Sequence, residues 1–312
     1  MKFIIRKTGM LLLIFLGITF LSFGLTFLSP SDPAEIKLSR RGVMPTEELL
    51  EQTREEMGLN RPLPVRYGDW VLHMLQGDMG VSIKSGKPVV EELKKALPNT
   101  IQITVCATIV VMLLSIPLGI LCARYKDSFF DYAVRILTYM LASLPSFFLA
   151  LICLYIFSVK LGWFQVITSK DANGYVMPVM VLSIGLSAWY IRQVRTVVLE
   201  EMSKDYITGS RARGVPESRI FFSHILKNAI LPILTLLGIS FANMLAGTTI
   251  VENIFSSKGL GNLAMEAITA RDYPVIQGYV LWMAIIFLLV NFAVDLSYGL
   301  VDPRIRHGQK EI

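Results

Sequence analysis

Residues with the chemistry for catalysis or metal binding are few in this chain, and they are scattered. The three histidines, His73, His224 and His307, are far apart, and the hydrophobic segments between them place them on both sides of a membrane. The motifs Gly-x-Ser-x-Gly of α/β-hydrolases and His-Glu-x-x-His of zinc proteases do not occur. We therefore expect no catalytic residue, no metal site and no cofactor.

The sequence from Gly80 to Pro88 has the glycines and lysine of a phosphate-binding loop but not their spacing. A Walker loop has four residues between its glycines and a serine or threonine after its lysine. Here five residues separate Gly80 from Gly86, and Pro88 follows Lys87. This pattern predicts a surface turn, so ATP is not expected to bind there.

The cysteines also lack the pattern of a site. Cys106, Cys122 and Cys153 form an odd, scattered set without metal-ligand spacing, and all three lie in apolar segments. We expect them to be small buried apolar residues.

The composition is that of a membrane protein: 53% of the residues are hydrophobic, 17% are charged and the mean hydropathy is +0.55. Because a spanning helix needs about 20 apolar residues, the uncharged stretches predict six transmembrane helices. These stretches are Thr8–Ser31, Ala96–Ala123, Ile136–Val159, Ala172–Ile191, Asn228–Val251 and Tyr273–Val294. Pro117, Pro145 and Pro178 lie inside three of them and are expected to kink the helices. At the two small-residue sites, Ser115–Gly119 and Ser143–Ser146, close packing against another helix is favoured over lining a passage.

The lysines and arginines predict the orientation. They concentrate near the N-terminus, around Arg124, between Arg192 and Lys227, and in the tail after Arg304. The positive-inside rule then places both termini in the cytoplasm and leaves 30–97 as an extracytoplasmic insertion. Since this bias accounts for the net charge of +6, no nucleic-acid partner is needed. No Ala-x-Ala cleavage site follows the first stretch, so we expect it to remain as a helix.

Two segments of the insertion have helical patterns. Thr46 precedes Glu47 and Glu48 and predicts an N-capped helix. The residues from Tyr67 to Leu75 mix apolar and aromatic positions, which is typical of a helix at the membrane interface.

The spans contain few ionisable residues that would mark an ion path. Glu252 and Asp295 come closest, but both fall near the ends of their spans, where anchoring or capping is the favoured role. An ion-coupled carrier would need a buried ionisable pair, and none is evident. A membrane-anchored scaffold would not need six spans with prolines. The energy for any transport is therefore expected to come from another protein.

A charged island, Glu200–Pro232, separates the fourth and fifth stretches. Gly214 suits the position after a helix C-cap, and Pro216 suits the first position of the next helix. Two interpretations remain open: an ordinary positive-inside loop, or a helix-turn-helix that lies along the membrane and offers one face to a partner. A DNA-reading helix-turn-helix is disfavoured because the segment is held between two spans.

The island resembles the cytoplasmic loop of permease subunits in binding-protein-dependent ABC importers of the dipeptide, oligopeptide and nickel class. The resemblance covers essentially the whole chain. Its motifs are Asp205-Tyr206-Ile207, Ser210-Arg211-Ala212-Arg213-Gly214, His224 to Ala229, Leu231-Pro232, Gly58 to Leu63, Gly77 to Ser82, Leu97 to Thr100, Glu252 to Phe255, Gly259-Leu260-Gly261, Arg271 to Gly278 and Asp302 to Arg306. Two departures stand out: Thr208-Gly209-Ser210 replaces the wider family's Glu-Ala-Ala, and Ser257-Lys258 replaces the usual Trp-Pro.

The resemblance implies that residues 1–312 form a single transmembrane domain with the all-α fold of a type I importer permease, in a bacterial cell membrane. It also implies partner proteins: a homologous second permease, two ATP-binding subunits and an extracytoplasmic solute-binding protein. It implies a cytoplasmic coupling loop over 195–228 whose ATPase contacts are Asp205, Ser210, Arg211, Ala212, Arg213, Gly214, Val215, Pro216 and Glu217. Substrate is expected to cross near the interface with the second permease. Candidate path or gate residues are Pro117, Pro145, Pro178, Glu252, Gly259 and Gly261. Peptides and nickel are both open as substrates, and the insertion around Tyr67 to Trp70 slightly favours nickel or a nickel chelate.

Overall fold

The computed structural model describes residues 2–27, 32–40, 42–165 and 172–301. Across these ranges the chain forms helices and turns, with one isolated bridge between Val81 and Pro88. The tail motif from Asp302 to Arg306 and the third histidine, His307, lie outside the described residues. The α-helices are α1 (Lys2–Phe27), α2 (Pro33–Arg40), α3 (Glu47–Glu56), α4 (Leu63–Leu75), α5 (Val89–Arg124), α6 (Phe129–Ser143), α7 (Ser146–Cys153), α8 (Ala172–Met202), α9 (Asp205–Ala212), α10 (Glu217–Arg219), α11 (Leu226–Ile254), α12 (Leu260–Ala270) and α13 (Tyr273–Val301). Two π-helical stretches follow α7 and α10, and they are Leu154–Lys160 and Ile220–Ile225.

Several described helices have the length and hydropathy of membrane spans. They are Val89–Arg124, Gly174–Met202, Glu217–Leu236 and Tyr273–Ala293, with α6 and α7 as a fifth if the bent pair counts as one. The described apolar part of α1, Leu13–Gly24, is shorter. A multi-span, all-helical architecture is therefore confirmed, while the count of six spans and the sidedness of the termini stay predictions.

Pro145 ends a helix instead of kinking one. The predicted third span is divided into α6 and α7, which meet at an angle of 103°. Leu144 has ψ 128° and Pro145 has ψ 142°, both outside the helical region. A proline pushes the preceding residue into extended geometry and lacks an N–H for the helix, so here the expected kink became a break. Pro178, by contrast, lies inside the continuous α8.

The chain divides into two compact units, one formed by residues 1–99 and 258–288 and the other by 100–257 and 289–312. In the first unit, Val89 and Leu93 at the start of α5 pack with Leu260 and Val275 of α12 and α13. Gly278 completes this contact, because a Cβ there would lie 2.7 Å from Val89 Cγ1. The first turns of α5 are thus held against α13 by a position with no room for a side chain.

Asp272 fastens a loop of the insertion within the first unit. Its buried carboxylate accepts hydrogen bonds from Ser82 Oγ at 2.6 Å, from Ile83 N at 3.1 Å and from Lys84 N at 2.9 Å. Lys84 also forms an exposed ion pair with Glu266, and that hydrogen bond lowers the pKa of the Glu266 carboxyl. The segment around Lys84 is therefore a fixed turn, as the sequence predicts.

The two helices predicted inside the insertion are present. Thr46 is the N-cap of α3, and its Oγ1 accepts a hydrogen bond from Leu49 N. The Tyr67–Leu75 segment belongs to α4, whose Tyr67 and Trp70 pack against α1. The insertion therefore contains short helices, one of which lies on a long apolar helix.

In the second unit, α5, α8 and α11 share a hydrophobic core. Gly119 of α5 sits against α8, where a Cβ would lie 2.7 Å from Val194 Cβ and 2.9 Å from the Ile191 carbonyl oxygen. This confirms close packing at the small-residue site around Pro117. Cys122 and Cys153 are buried as expected, but Cys106 is exposed on α5, so that prediction was wrong for Cys106.

Candidate functional site

The island folds into a helical turn whose hydrogen bonds close around Gly214. The α9 helix ends at its C-cap Arg213, and Gly214 has φ +76°. Gly214 N donates to the Arg211 carbonyl at 2.9 Å, and Val215 N donates to the Ser210 carbonyl at 3.2 Å. These two bonds are those of a Schellman motif, which favours glycine at the left-handed position. The predicted break is confirmed at the predicted residue.

The next helix starts one residue later than expected. Pro216 is the N-cap of α10 and not its first residue, and α10 passes after one turn into the π-helical stretch Ile220–Ile225. Within this stretch Ile220, Phe221 and Ile225 are buried, whereas Phe222 is 68% exposed.

The outer surface of this turn is open. We call it the exposed turn and define it as Arg211–Arg219; every residue in it is exposed except Val215, which is half-buried. Arg211 Nε bonds Glu217 Oε1 at 2.6 Å across the turn, and this contact raises the pKa of the Arg211 guanidinium. A solvated pair of this kind contributes little to stability. Its geometric effect is to join the end of α9 to the start of α10.

The inner side of the turn is anchored in the core of the second unit. Ile207 and Ile220 are fully buried there. Ser210 is buried, and its Oγ donates to the Tyr206 carbonyl at 2.8 Å while accepting from Arg213 Nη2 at 3.2 Å. Arg213 is exposed, but its guanidinium is held by this hydrogen bond to Ser210.

A polar network at the protein surface, in which only Glu201 is buried, connects α9 to the long helices on either side of it. Glu201, at the end of α8, accepts hydrogen bonds from Lys204 Nζ and from Tyr206 Oη. Tyr206 Oη accepts one from Asn228 Nδ2 of α11 at 2.9 Å. Burial and the bond to Glu201 raise the pKa of the Tyr206 phenol, so it remains a donor. We call Glu201, Tyr206 and Asn228 the latch, because they link α8, α9 and α11.

Sequence reasoning did not identify the latch as a unit. Tyr206 and Asn228 entered only as members of motifs, and Glu201 was not singled out. The available signal was a carboxylate five residues before a tyrosine at a helix break, which is weak without knowledge of the helix packing.

A second polar contact was missed. Arg195 of α8 donates from Nε and Nη2 to both oxygens of Asp131 of α6, and Asp131 is completely buried. The expectation that no buried ionisable pair exists was therefore wrong. The pair joins two helices near the first turn of α6, and both oxygens of Asp131 are hydrogen bonded, since Oδ2 also accepts from Asp127 N at 3.1 Å.

The cation of Arg124, at the end of α5, lies 5.2 Å from the centre of the Phe221 ring. Phe221 belongs to the π-helical stretch that follows the exposed turn. The end of α5 therefore supports the same turn that the latch holds from α8 and α11.

The residues predicted to line a substrate path have different surroundings. In the second unit, Pro117 and Pro145 are exposed, whereas Pro178 and Glu252 are buried. Glu252 Oε1 accepts a 2.6 Å hydrogen bond from Thr100 Oγ1, which connects α11 to α5. Its role as an anchor near the end of α11 is thereby supported, and a role as a gate stays a prediction.

The remaining path candidates, Gly259 and Gly261, lie in the first unit, and the histidines were the remaining candidates for a metal site. Gly259 is the N-cap of α12, and Gly261 is buried in its first turn. Within the described ranges, His, Cys, Asp and Glu side chains form no group of three that is arranged to hold a metal ion. His73 is exposed, with Nδ1 2.7 Å from the Asp69 carbonyl oxygen.

Comparison with known proteins agrees with this architecture. The family model described as "Binding-protein-dependent transport system inner membrane component" matches residues 115–307, and its N-terminal companion matches residues 1–104. The permease CntB of a metal-staphylopine import system from Staphylococcus aureus is 34% identical and covers 99% of both chains. The oligopeptide permease AppB of Bacillus subtilis is 35% identical over 98% of this chain and 99% of its own. The dipeptide permease DppB of Escherichia coli is 34% identical with the same coverage.

The fold is also that of a solved transporter. The inward-facing MetNI methionine ABC transporter has a chain that superposes with a TM-score of 0.57 at 18% identity, covering 67% of this chain and 96% of its own. That likeness establishes a type I importer permease fold. The chain belongs to the inner-membrane permease family of binding-protein-dependent ABC importers, in the class that contains the dipeptide, oligopeptide and metal permeases.

Proposed function

We propose that the exposed turn is the contact through which separate ATP-binding subunits drive this permease. The observation that carries the proposal is the arrangement around Gly214: an outward-facing turn with positive φ and open space, flanked by Arg211, Arg213 and Glu217. Such a surface offers charged groups to a partner without any need to unfold. This role includes Asp205, the first residue of α9, and Pro216, the N-cap of α10.

Movement at this surface would pass to the long helices through the latch and through two buried apolar contacts. The latch ties α9 to α8 and α11, and Ile207 and Ile220 seat the turn in the core. Because a packed core transmits displacement instead of absorbing it, closure of the ATPases would move α8 and α11 together. The proposed sidedness follows the arginines and lysines, with the exposed turn and both termini in the cytoplasm.

The proposed assembly has this chain beside a homologous second permease, with two ATP-binding subunits and an extracytoplasmic binding protein. The family's dependence on a binding protein supports the last partner. The two permeases would enclose the substrate path, because the described helices of one chain are those of a single type I importer permease.

The proposed substrate is a peptide or a metal chelate, with nickel or a nickel chelate slightly favoured. The names of the relatives CntB, AppB and DppB support this range. Identification of the ligand held by the cognate binding protein is the direct test. A bound sugar, or a ligand that contains neither a peptide nor a metal, would contradict the substrate proposal and leave the coupling proposal intact.

The coupling proposal is tested with Gly214→Leu, which places a branched side chain at φ +76°. We expect ATP-driven uptake and capture of the ATPase subunits to fall by at least about tenfold, equivalent to roughly 1.4 kcal/mol. Gly214→Asn is the matched control, because asparagine tolerates the left-handed region, and it should retain most of both activities. Gly162→Leu, at φ +65° and with open space around it, controls for backbone strain elsewhere. Full uptake by a folded complex that carries Gly214→Leu would refute the assignment.

A further inference from the structure

The α4 helix carries three stripes that differ in chemistry. Tyr67 and Trp70 form the first, and their rings lie 5.4 Å from Phe20 and 5.9 Å from Phe23 of α1. The other two stripes follow the same spacing of three and four residues that marks one side of a helix. The second stripe is polar (Arg66, Asp69 and His73), and the third is apolar (Val65, Gly68, Leu72 and Leu75).

Among the residues that the structure describes, none covers the apolar stripe of α4. Val65 is 48% exposed, Leu72 58% and Leu75 73%. The polar stripe lies on another side, where Asp69 forms an ion pair of 3.0 Å with Arg61. A helix with one packed side, one polar side and one bare apolar side is suited to the boundary between water and lipid.

The contact with α1 fixes α4 at the level of the membrane. Lys7 is the last charged residue before the uncharged run that begins at Thr8, so the hydrocarbon core begins near Thr8. At about 1.5 Å per residue, Phe20 lies about 18 Å and Phe23 about 22 Å further along α1. A hydrocarbon core is about 30 Å thick. Phe20 and Phe23, the α1 residues that contact α4, therefore lie inside the hydrocarbon core, in the leaflet at the C-terminal end of α1.

We infer that α4 is a membrane-surface helix whose apolar stripe inserts among the lipid acyl chains of the leaflet at the C-terminal end of α1. The α1 surface supplies the reason for choosing lipid over a protein partner. Leu13, Phe20 and Leu21 are exposed there too, so the apolar surface continues from α4 onto a helix of a membrane-spanning protein. Arg66, Asp69 and His73 then face the headgroups and water. The insertion is held to the bilayer at this point.

Spin labels on neighbouring residues test this placement. Leu72→Cys and Leu75→Cys report the apolar stripe, and His73→Cys is the matched control from the polar stripe. They are made in a chain whose Cys106, Cys122 and Cys153 are replaced by alanine. The whole transporter, with its partner subunits, is reconstituted in vesicles of phosphatidylethanolamine and phosphatidylglycerol. Collision rates are measured with oxygen, which concentrates in lipid, and with nickel ethylenediaminediacetate, which stays in water.

We expect labels at 72 and 75 to collide more often with oxygen, and the label at 73 to collide more often with the nickel complex. Equal exposure of all three labels to the nickel complex would place α4 in water and overturn the inference. Protection of 72 and 75 from both reagents would mean that a protein covers the stripe, which would also overturn it. All three residues are exposed, so the substitutions leave the packing of α4 on α1 intact.

Discussion

Arg195 and Asp131 form a two-bond ion pair between α8 and α6, with Nε to Oδ1 and Nη2 to Oδ2 both at 2.7 Å. The carboxylate is fully buried, and the Arg195 side chain is 15% exposed. Burying two charges is costly unless their geometry is good and their remaining groups are bonded. Here both oxygens are occupied, so the pair fixes how α6 lies on α8.

Removing one member of the Asp131–Arg195 pair should destabilise the protein far more than replacing both members with apolar residues. Asp131→Ala leaves the Arg195 guanidinium without its partner, and we expect a loss of about 3–5 kcal/mol. The double variant Asp131→Leu with Arg195→Met should recover most of it. The measurement is the thermal unfolding midpoint in detergent, followed by size-exclusion chromatography.

A surface carboxylate provides the control. Asp127→Asn removes the exposed charge 3.9 Å from Lys126 Nζ, and we expect a change within about 1 kcal/mol. Asparagine also accepts the positive φ of that position. If Asp131→Ala were as mild as Asp127→Asn, the ion pair would not be what orders α6 on α8.

The contact of α5 with α8 depends on the missing side chain of Gly119. Gly119→Ala would place a methyl group 2.7 Å from Val194 Cβ and 2.9 Å from a backbone oxygen. The backbone atom cannot turn away, so we expect a loss of about 1–3 kcal/mol from overpacking. Gly185→Ala, on α8 with no atom within 4 Å, is the matched control. It should be neutral or slightly stabilising in the same thermal assay; equal effects of the two variants would contradict the packing argument.

What the sequence could predict was local. A glycine followed two residues later by a proline marked the break at Gly214, and Thr46 before two glutamates marked a helix start. Both signals act within one helical turn of the chain. Long apolar runs predicted the helical spans because a membrane span depends mainly on the composition of its own stretch of chain.

What it could not predict depends on packing between distant segments. Asp131 and Arg195 are 64 residues apart, and only the crossing of α6 and α8 brings them together. Asn228 reaches Tyr206 across 22 residues for a similar reason. Proline was ambiguous in another way: Pro178 stays inside a helix and Pro145 ends one, although both lie in apolar runs. Family motifs marked the right region, but they did not give these contacts.

Asp272 should control the order of the turn that follows Ser82. Asp272→Ala leaves Ile83 N and Lys84 N without their acceptor, at a cost of about 1–3 kcal/mol for a buried donor. We expect hydrogen exchange at the amides of 83 and 84 to quicken, while exchange in α8 is unchanged. Glu266→Gln removes only the exposed ion pair with Lys84 and should leave those amides protected. Unchanged exchange at 83 and 84 in Asp272→Ala would show that the turn is held by other contacts.

Breaking the latch should weaken the coupling of transport to ATP hydrolysis without weakening the binding of the ATPase subunits. Tyr206→Phe keeps the ring but removes the hydroxyl that joins Glu201 to Asn228. We expect the purified complex to retain its ATPase subunits and to lose about 1.5–3 kcal/mol of stability, the range for hydrogen bonds to charged groups. Substrate imported per ATP hydrolysed should fall, because α9 can then move without α8 and α11. Tyr125→Phe, at a 57% exposed position, is the control and should leave the ratio unchanged. Loss of the ATPase subunits from Tyr206→Phe would mean that the tyrosine shapes the contact surface; an unchanged transport ratio would mean that the latch transmits nothing.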